Sequence, residues 1–459
     1  MHMGKDLTEV CSPQRKLLPD TVGPEQQEPT SLRGIANRAR ARKHHRFRDL
    51  YRILNAELLK ECWEDLNKDA ATGVDKVTAE VYQINLETNI ENLAERLKKK
   101  RYRAKLVRRC YIPKENGGER PLGIPALEDK LVQLACSKIL TAIYEEDFVE
   151  SSYGYRPGRS AKEAIADLTF NLQIGKFGYL VEADICGFFD NMDHKWLLKM
   201  LEQRIDDRAF LNLIRKWLKA GILETDGRVV LPESGTPQGG IISPILANVY
   251  LHYVLDIWFA RVVKTHCSGE AIIVRYADDF VCAFRYQEDA ERFYRELPKR
   301  LEKFGLEVAP EKTRMTRFSR FHPGMERRFS FLGFELYWSP NRQGKLQVIR
   351  RTAPKRLQRA CRRIKEWIKE HRHLPGREFI AALNRRLRGH YNYYGVIGNT
   401  EALNRFYRWA TGCAFKWLNR RGGKRRSFTW KQFHVALEKL GIAKPQITES
   451  YNQQHRVFA

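Results

Sequence analysis

The feature that most limits how this chain can fold is a pair of adjacent aspartates between two apolar, strand-like segments. Residues 271–276 read Ala-Ile-Ile-Val-Arg-Tyr, residues 280–284 read Phe-Val-Cys-Ala-Phe, and Asp278 and Asp279 lie between them. Such runs around a short polar interruption are typical of a hairpin. Two carboxylates at the tip of a buried hairpin repel each other and lose hydration, so the tip needs cations nearby.

A second strand-like segment also ends in an acid. Residues 179–183 are mostly apolar and lead directly into Asp184. Carboxylates from two strand ends can share divalent cations, and phosphoryl transfer needs two such ions about 3.5 to 4 Å apart. We therefore predict that Asp184, Asp278 and Asp279 bind two Mg²⁺ ions, which Mn²⁺ is able to replace.

A glycine-rich loop between these two acidic segments is suited to a nucleotide. It contains Pro237, Gln238 and Gly239. Glycine lets the backbone approach a ligand closely, and a fixed glutamine side chain can hydrogen-bond a nucleotide without demanding one base. The alternative is an ordinary tight loop before a helix.

Two basic residues flank an upstream turn. Residues 111–125 read as two extended segments joined at an Asn-Gly pair, which is typical of a hairpin. Lys114 and Arg120 lie on either side of the turn, as a clamp for a triphosphate requires. Ordinary surface charge is the alternative for each of them.

Most of the positive charge lies near the C-terminal end. The chain has 459 residues and a formal net charge of +27, and residues 341–426 hold 24 Lys and Arg against 4 acidic residues. An excess of this size favours a polyanionic partner, nucleic acid first of all. Apolar residues at helical spacing predict a small basic bundle in this region. The predicted helices are 353–371, 377–388 ended by Gly389, and a third that starts behind Thr400 as N-cap and ends at Gly422-Gly423.

The predicted linker between the second and third helices is rich in tyrosine. Tyr391, Tyr393 and Tyr394 fall within six residues, His390 to Gly395. They are interpreted either as part of the core of the bundle or as rings that stack on bases or sugars.

Composition excludes several classes of protein. An apolar content of 43% over this length predicts about three folded domains rather than disorder. The nine cysteines include no CxxC pair, which favours reduced thiols and a cytoplasmic location over a zinc site. No apolar run is long enough to span a membrane. The polar start of the chain is expected to be mobile, and the basic residues 38–48 either contact phosphates or are a solvated tail.

Taken in this order, the segments resemble the reverse transcriptases encoded by group II introns, also called maturases. The resemblance covers about residues 50–440. The motifs that carry it are Gly73-Val74-Asp75, 120–125, 152–160, the Asp184 strand, Pro237-Gln238-Gly239, Tyr276-Ala277-Asp278-Asp279, 305–307 with 311–313, and 331–334.

The resemblance implies an α+β fold with the architecture of a right-hand polymerase. Fingers and palm, with an antiparallel palm sheet, would occupy residues 46–337, after a mobile segment over 1–45. A helical thumb, called the maturase or X domain, would occupy 338–426. The tail, 427–459, would either finish the thumb or form a rudimentary DNA-binding segment.

The resemblance also implies roles for single residues. The backbone carbonyl of Ile185 would join the three aspartates at the metals, and Lys312 would give a proton to the leaving pyrophosphate. Phe188 or Phe189 would stack under the sugar and exclude a 2′-hydroxyl, and spacing from Asp184 favours Phe189. The residues expected to meet the nucleotide are Lys114, Arg120, Pro237, Gln238 and Gly239. The residues expected to contact primer or RNA are Phe331, Leu332, Gly333, Arg388, Tyr391, Tyr393 and Tyr394.

The activity implied is that of an RNA-directed DNA polymerase that binds a structured group II intron RNA, copies RNA into DNA by target-primed synthesis and assists splicing. Its partners would be the intron RNA, an RNA template with a DNA primer, and dNTPs, in a bacterial cytoplasmic ribonucleoprotein that is monomeric or homodimeric. About 33 residues follow Arg426 and none is Cys, so an endonuclease is expected to be absent. The alternatives are a domesticated reverse transcriptase in defence or DNA repair, and a non-catalytic splicing chaperone.

Overall fold

The protein is a mixed α+β structure with several small sheets followed by a helical region. The structure, a computed structural model, describes residues 31–113, 117–324, 327–341, 343–420 and 427–449. In these ranges the helices are α1 (Leu32–Ala41), α2 (Ala56–Asp65), α3 (Ala79–Gln83), α4 (Leu86–Lys98), α5 (Leu127–Tyr144), α6 (Ala161–Ile174), α7 (Phe188–Asn191), α8 (His194–Glu202), α9 (Arg208–Leu218), α10 (Ser243–Leu251), α11 (Lys264–His266), α12 (Gln287–Glu302), α13 (Pro354–His371), α14 (Gly376–Tyr394), α15 (Thr400–Leu418) and α16 (Trp430–Lys439).

The strands of the described ranges are β1 (Val107–Pro113), β2 (Glu119–Ile124), β3 (Tyr179–Ala183), β4 (Ile185–Cys186), β5 (Ile222–Leu223), β6 (Val229–Val230), β7 (Ala271–Tyr276), β8 (Asp279–Phe284), β9 (Glu307–Val308), β10 (Arg314–Arg317), β11 (Phe329–Phe331), β12 (Phe334–Pro340) and β13 (Leu346–Thr352). The predicted hairpins over 111–125 and 271–284 are confirmed as β1–β2 and β7–β8. Between α10 and α11 the chain forms two π-helical segments, His252–Asp256 and Phe259–Val263.

The central sheet has the strand order β10-β3-β8-β7, and its neighbouring strands are antiparallel. Its two faces build two different cores. Val181 and Cys282 face one apolar cluster, while Leu180 and Val281, one residue earlier on each strand, face the other. This alternation follows from the two-residue period of a strand. Because both faces are covered, the position and register of β3, β7 and β8 are firmly set.

The N-terminal boundary needs a correction. The predicted mobile segment, 1–45, includes α1, which begins behind the N-cap Ser31 and buries Ile35 and Ala39. Arg40 in this helix donates two hydrogen bonds to Glu146, each 2.9 Å long. The polar N-terminal composition therefore does not extend into α1, whose apolar residues join the main core. Residues 1–30 lie outside the described part of the chain.

The basic bundle is present, with α13 and α15 packed side by side and α14 against them. The apolar residues at helical spacing, which predicted the bundle, do join one apolar cluster: Leu357, Cys361, Ile364, Trp367, Ile368, Phe379, Ile380, Leu383, Leu387, Leu403, Phe406, Ala410, Ala414 and Trp417. Over the part of the chain that the structure describes, no helix is long and apolar enough to cross a bilayer.

Two predicted helix ends in the bundle are wrong. Helix α14 does not stop at Gly389 but continues to Tyr394. Tyr391 is fully buried in the bundle, and its burial stabilises the extra turn. The residue before α15 is Asn399 rather than Thr400 as N-cap, and its side chain bonds Thr352 and the Tyr394 carbonyl instead of its own helix. The predicted stop at Gly422-Gly423 lies outside the described residues.

The sequence-based domain boundaries shift in two places. Residue 337, the predicted end of the fingers and palm, lies inside β12, which pairs with β13 along its whole length. The helical region therefore begins at α13. Within the tail, α16 buries Phe433 and Leu437 in the same cluster as the bundle, so this segment completes the helical region. Residues 450–459 lie outside the described part.

The last described residues fasten the bundle to the rest of the protein. Glu449, which is 1% exposed, forms a two-pronged ion pair with the buried Arg350 of β13, at 2.7 and 2.8 Å. The same carboxylate accepts a hydrogen bond from the backbone of Ile397. The neighbouring Thr448 accepts one from Lys162 of α6. This short segment thus links the sheet, the bundle and α6.

Removing the buried carboxylate should destabilise the fold. We expect Glu449→Ala to lower the free energy of unfolding by about 3 kcal/mol, because it leaves the Arg350 charge buried and unpaired. Urea unfolding followed by tryptophan fluorescence measures this change. Glu438→Ala is the control, because Glu438 is exposed and its ion pair with Lys444, at 3.5 Å, is worth at most about 1 kcal/mol. Equal losses in the two variants would contradict the assignment.

Candidate active site

Three carboxylates lie close together where strands β3, β7 and β8 of the central sheet begin or end. Asp184 follows β3, Asp278 lies in the β7–β8 turn, and Asp279 begins β8. Ala183 pairs with Phe280, so Asp184 stands opposite Asp279. Directly opposed residues of antiparallel strands have Cα atoms about 5 Å apart. The register therefore brings together the three acids that the sequence analysis selected.

The cluster carries more negative charge than its surroundings tolerate well. Burial raises the pKa of Asp278, and the nearby Asp184 carboxylate raises it further, while the charges of Arg120 and Lys312 oppose the rise. Asp279 keeps contact with solvent, yet desolvation by the surrounding protein, followed by repulsion from Asp278 and Asp184, raises its pKa to about 6. A site of this kind is stabilised by added cations.

One cation of the chain already lies against the cluster. The Lys312 ammonium, on a single turn of 3₁₀ helix, donates to Oδ2 of Asp184 at 2.5 Å. This hydrogen bond raises the pKa of Lys312. Among the described residues, no three His, Cys, Asp or Glu side chains form a ready metal cage. The donor set nevertheless fits a hard divalent cation, because it offers three carboxylates and an excess of negative charge.

The turn between β7 and β8 has an unusual backbone. Ala277 has a φ of +56°, in the left-handed region that non-glycine residues rarely adopt. Such a conformation costs about 1–2 kcal/mol and persists only where the surroundings fix it. Gly154 packs directly against this turn, where a Cβ would overlap the backbone nitrogen of Ala277. The carboxylates are therefore presented by a strained, tightly packed turn.

The predicted nucleotide loop packs on the β1–β2 hairpin. The Gln238 carbonyl accepts a hydrogen bond from the backbone of Gly123 at 2.6 Å. Gly239 has a φ of +109° and lies so close to Gly123 that a Cβ would not fit, so a glycine is required there. The Gln238 side chain is half-buried. The loop is therefore held by its backbone.

The two predicted basic residues differ in what the structure describes. Arg120 pairs with Ile112 across the β1–β2 hairpin, is exposed, and lies near enough to Asp278 for its charge to lower the pKa of that carboxyl. Lys114 lies outside the described residues.

The two phenylalanines after Asp184 occupy different environments. Phe188 is 2% exposed and packs edge-on against Tyr250 in the core. Phe189 is half-buried. Its ring meets that of Tyr155 edge to face, with centroids 6.4 Å apart. Of the two sequence candidates for the sugar contact, Phe189 is therefore the one that remains available.

Tyr155 is a site residue that the sequence analysis did not assign. It lies within the quoted motif 152–160, has a φ of +59° and is 49% exposed. Burial, followed by the charge of Asp278, raises its pKa. Its position in a motif, directly after Gly154, is a weak signal, because nothing in the sequence indicates that its backbone is left-handed or that its ring reaches Phe189.

The hairpin turn predicted to contact a primer meets the end of α14. Phe331 is buried, and Leu332 and Gly333 form a tight turn with φ of +49° and +79°. The Tyr393 hydroxyl donates to the Leu332 carbonyl at 3.0 Å. The Tyr393 ring stacks on Phe334, with centroids 6.1 Å apart. This contact joins the helical region to the β11–β12 hairpin.

The tyrosines and the arginine of the predicted RNA-contact segment divide by burial. Tyr391 is fully buried and is a core residue. Tyr394 is half-buried and packs against Phe334. Tyr393 is 40% exposed, and Arg388 is exposed. Tyr391 is therefore part of the core of the bundle, whereas stacking on bases or sugars stays a prediction for the exposed Tyr393.

Family comparisons agree with this geometry. Residues 112–336 match the model described as "Reverse transcriptase (RNA-dependent DNA polymerase)", and residues 357–433 match "Group II intron, maturase-specific domain". The chain is 33% identical to Protein YkfC of Escherichia coli (strain K12) over 307 residues, which covers 60% of this chain and 78% of that protein. It is 31% identical to the group II intron-encoded protein LtrA of Lactococcus lactis subsp. cremoris over 446 residues, which covers 78% of this chain and 72% of that protein.

A shorter match involves a protein of Schizosaccharomyces pombe. The "Uncharacterized 91 kDa protein in cob intron" of Schizosaccharomyces pombe is 42% identical over 163 residues, which covers 36% of this chain and 20% of that protein.

The chain belongs to the group II intron reverse transcriptase and maturase family. As a member of this family it has a reverse transcriptase domain followed by a maturase-specific helical region. The family implies catalysis with divalent metal ions, and the maturase-specific domain implies binding of intron RNA. Neither matched segment is described as an endonuclease.

Neutralising one of the crowded carboxylates should stabilise this family member when no metal is present. We expect Asp279→Asn to raise the melting temperature at pH 7.5 in a chelating buffer by about 1 to 3 °C, because the raised pKa means that the charged form disfavours folding. The gain should shrink as the pH falls from about 6 towards 4, where wild-type Asp279 becomes protonated in the folded state. Scanning calorimetry measures both effects.

The control is Asp226→Asn, which changes an aspartate on the β5–β6 turn that pairs with Arg228. A gain at Asp226 equal to that at Asp279, or a loss at Asp279, would contradict the view that repulsion at the cluster weakens the fold.

Proposed function

We propose that this protein is an RNA-directed DNA polymerase that binds a structured group II intron RNA, copies RNA into DNA by target-primed synthesis and assists splicing. The observation that carries the proposal is the meeting of Asp184, Asp278 and Asp279 at adjacent strand ends, in a chain with a maturase-specific region. The architecture proposed is that of a right-hand polymerase, with fingers and palm up to the β11–β13 sheet and a thumb from α13 onward.

The proposed metal ligands are the three aspartates and the Ile185 backbone carbonyl. When two divalent ions are bound, they make the primer hydroxyl a better nucleophile and neutralise charge on the triphosphate. The excess negative charge of the cluster supports this assignment, because Asp278 and Asp279 have raised pKa values. Lys312, which donates to Asp184 in this structure, would give a proton to the departing pyrophosphate.

The proposed nucleotide pocket lies between the β1–β2 hairpin and the carboxylate turn. Arg120, together with Lys114, would bind the triphosphate, since a guanidinium can donate two hydrogen bonds to one phosphate. Pro237, Gln238 and Gly239 would line the pocket on the side of the loop, where the backbone contact with Gly123 fixes their position.

The proposed sugar gate is Phe189, supported by Tyr155. The edge-to-face contact between the two rings limits how far Phe189 can move. A 2′-hydroxyl on the incoming nucleotide would meet this wall, whereas a deoxyribose would pack against it. Selection for dNTPs follows from that steric difference.

The proposed duplex path runs from the Leu332-Gly333 turn along the thumb. A groove of about 1140 Å³ lies between β12, β13, α13 and α15. The charged residues of its lining are mostly basic: Arg328, Arg351, Lys355, Arg359, Arg362, Lys365 and Arg405, against Glu335 and Glu401. Such a surface suits a phosphate backbone. We propose that the intron RNA, or an RNA template with its DNA primer, contacts this groove and the exposed Arg388 and Tyr393.

The alternatives are less well supported. A splicing chaperone without polymerase activity has no need for the full set of three carboxylates, and the chain retains them. A domesticated enzyme of defence or repair would share the same site. A cytoplasmic ribonucleoprotein remains the proposed setting.

The catalytic assignment predicts a separation of activities. We expect Asp278→Ala to abolish primer extension on an RNA template with dNTPs and Mg²⁺, because the site loses a metal ligand. Binding of a structured intron RNA should stay within about twofold of wild type, since the thumb is unchanged. Filter binding and gel-based extension measure the two activities. Asp226→Ala is the matched control, and polymerisation that survives Asp278→Ala would end the proposal.

The gate assignment predicts a loss of sugar selectivity. We expect Phe189→Ala to lower the preference for dNTPs over rNTPs by about 10- to 100-fold, because the steric wall is removed. Single-nucleotide incorporation with each substrate measures the ratio. Phe188→Leu is the matched control, because Phe188 is a core residue, and it should reduce stability while keeping the preference. A selectivity loss confined to Phe188→Leu would reverse the assignment.

A further inference from the structure

A fully buried ion pair lies directly beneath the carboxylate turn. Arg275, in β7, is 0% exposed, and Asp256 is 1% exposed. Nε and one Nη of Arg275 donate to the two carboxylate oxygens of Asp256, at 2.7 and 2.6 Å. This two-pronged geometry holds the guanidinium in one plane and leaves its other donors to point elsewhere.

The remaining donors of Arg275 reach three different parts of the site. One hydrogen bond, 2.9 Å long, goes to the carbonyl of Ala277. Another, 2.7 Å long, goes to the hydroxyl of Ser152. A third, 3.1 Å long, goes to the side-chain oxygen of Asn248. All of these partners are buried, so each bond forms away from water, where a lost partner is costly.

The bond to Ala277 acts on the strained residue of the turn. The Ala277 carbonyl belongs to the peptide unit that leads directly into Asp278. Fixing this carbonyl fixes the plane of that peptide and so the direction from which Asp278 leaves the turn. A left-handed alanine has no intrinsic preference for this conformation, and its carbonyl needs an external partner to keep it there.

The bonds to Ser152 and Asn248 act on the segment that carries Tyr155. The backbone of residues 151–153 runs beside β7, and its groups bond the N–H and carbonyl of Arg275. Asn248 donates to the Gly154 carbonyl at 2.7 Å. Tyr155 follows immediately, with its ring against Phe189. The same guanidinium therefore holds both the metal-binding turn and the nucleotide-pocket wall.

A distorted helix supplies the counter-charge. Asp256 is the last residue of the π-helical segment that starts at His252. A π-helical turn changes the angle at which the following residues leave the helix and frees backbone carbonyls. Arg300 of α12 donates to the carbonyls of Tyr253 and Val254, at 3.0 and 2.9 Å. Arg300 thus stabilises this π-helical segment from outside the helix. The segment ends at Asp256, the residue that pairs with Arg275.

We propose that Arg275 is a positioning residue, which sets the Asp278 turn and the Tyr155 segment in one fixed relation. The inference rests on the proposed function, since it explains how metal ligands and sugar gate are kept in register. Arg275 itself would touch neither metal nor substrate. Asp256 and Asn248 would act through it.

Another buried arginine provides a matched control. Arg204 is also almost completely buried, pairs with Asp147 at 2.9 Å, and donates to the backbone carbonyl of Ala39. It fastens α1 to the main core and has no contact with the carboxylate turn among its described bonds. Arg204→Lys and Arg275→Lys therefore remove comparable hydrogen bonds in two different places.

The first experiment compares these two variants. We expect Arg275→Lys to lower kcat for single-nucleotide incorporation by about 10- to 100-fold, because a small misplacement of the reacting groups is costly. Arg204→Lys should retain kcat within about threefold at a similar loss of melting temperature. Equal kcat losses in both variants would overturn the proposal, because they would indicate a general effect of stability.

The second experiment does not depend on activity. Hydrogen exchange, read by mass spectrometry, should speed up in Arg275→Lys over peptides that cover 276–280 and 151–156, and stay unchanged over α1. Arg204→Lys should show the opposite pattern. An equal increase in the exchange rate across the whole palm in Arg275→Lys would overturn the proposal. This readout separates it from the proposed function, which fails if Asp278→Ala remains active.

A rescue variant tests the role of the strained alanine. Glycine adopts the left-handed region without penalty, so Ala277→Gly should restore part of the lost kcat in the Arg275→Lys background, by about 3-fold or more. It should restore nothing in the Arg204→Lys background. Absence of rescue would overturn the assigned link through Ala277.

If Arg275→Lys does not fold, Ser152→Ala tests the hydrogen bond between Arg275 and the segment that carries Tyr155. This substitution leaves the charges of Arg275 and Asp256 paired. It should fold, and it should lower kcat and raise the KM for dNTPs while leaving exchange at α1 unchanged. Unchanged kinetics in Ser152→Ala would overturn the proposal.

Discussion

Mutual repulsion among three carboxylates is the constraint to which the surrounding structure responds. Asp184, Asp278 and Asp279 are brought together by strand register, and the protein does not relieve them by moving them apart. Instead it places Lys312 and Arg120 around them and grips the turn from below through Arg275. The folded chain therefore keeps three mutually repelling carboxylates close together, and added cations would relieve this repulsion. Such electrostatic strain is a common property of active sites.

Support for that arrangement comes from both faces of the central sheet. One face rests on the long helices α5, α10 and α12, and the other on α6 and the β11–β13 sheet. Because β3, β7 and β8 are buried on both sides, a shift in register would bury polar groups and expose apolar ones. Rigidity in the core is thus what permits strain in the turn. The helical region adds a contact to the β11–β13 sheet, because the hydroxyl of Tyr393 donates to the carbonyl of Leu332.

Local patterns in the sequence predicted the parts of the site that depend on neighbouring residues. The two acidic strand ends and the inward faces of the bundle helices follow from periods of two and of three to four residues. The end of α14 was not predictable in this way, because a glycine at 389 normally ends a helix and only burial of Tyr391 overrides it. The side-chain contacts of Arg275 with Asp256, Asn248 and Ser152 were also out of reach, since these partners lie 19 to 123 residues away in the chain.

The unbroken course of α14 has a consequence for how this molecule tolerates change. Each helical residue advances the axis by about 1.5 Å and rotates it by about 100°. From the buried Leu387 to Tyr393 there is no break that would absorb a change in length. Losing or gaining one residue there would swing the terminal ring to another side of the helix, away from Leu332. The length of the helix thus fixes the position of Tyr393 relative to Leu332. Natural variation in this family should therefore favour substitutions over insertions along α14.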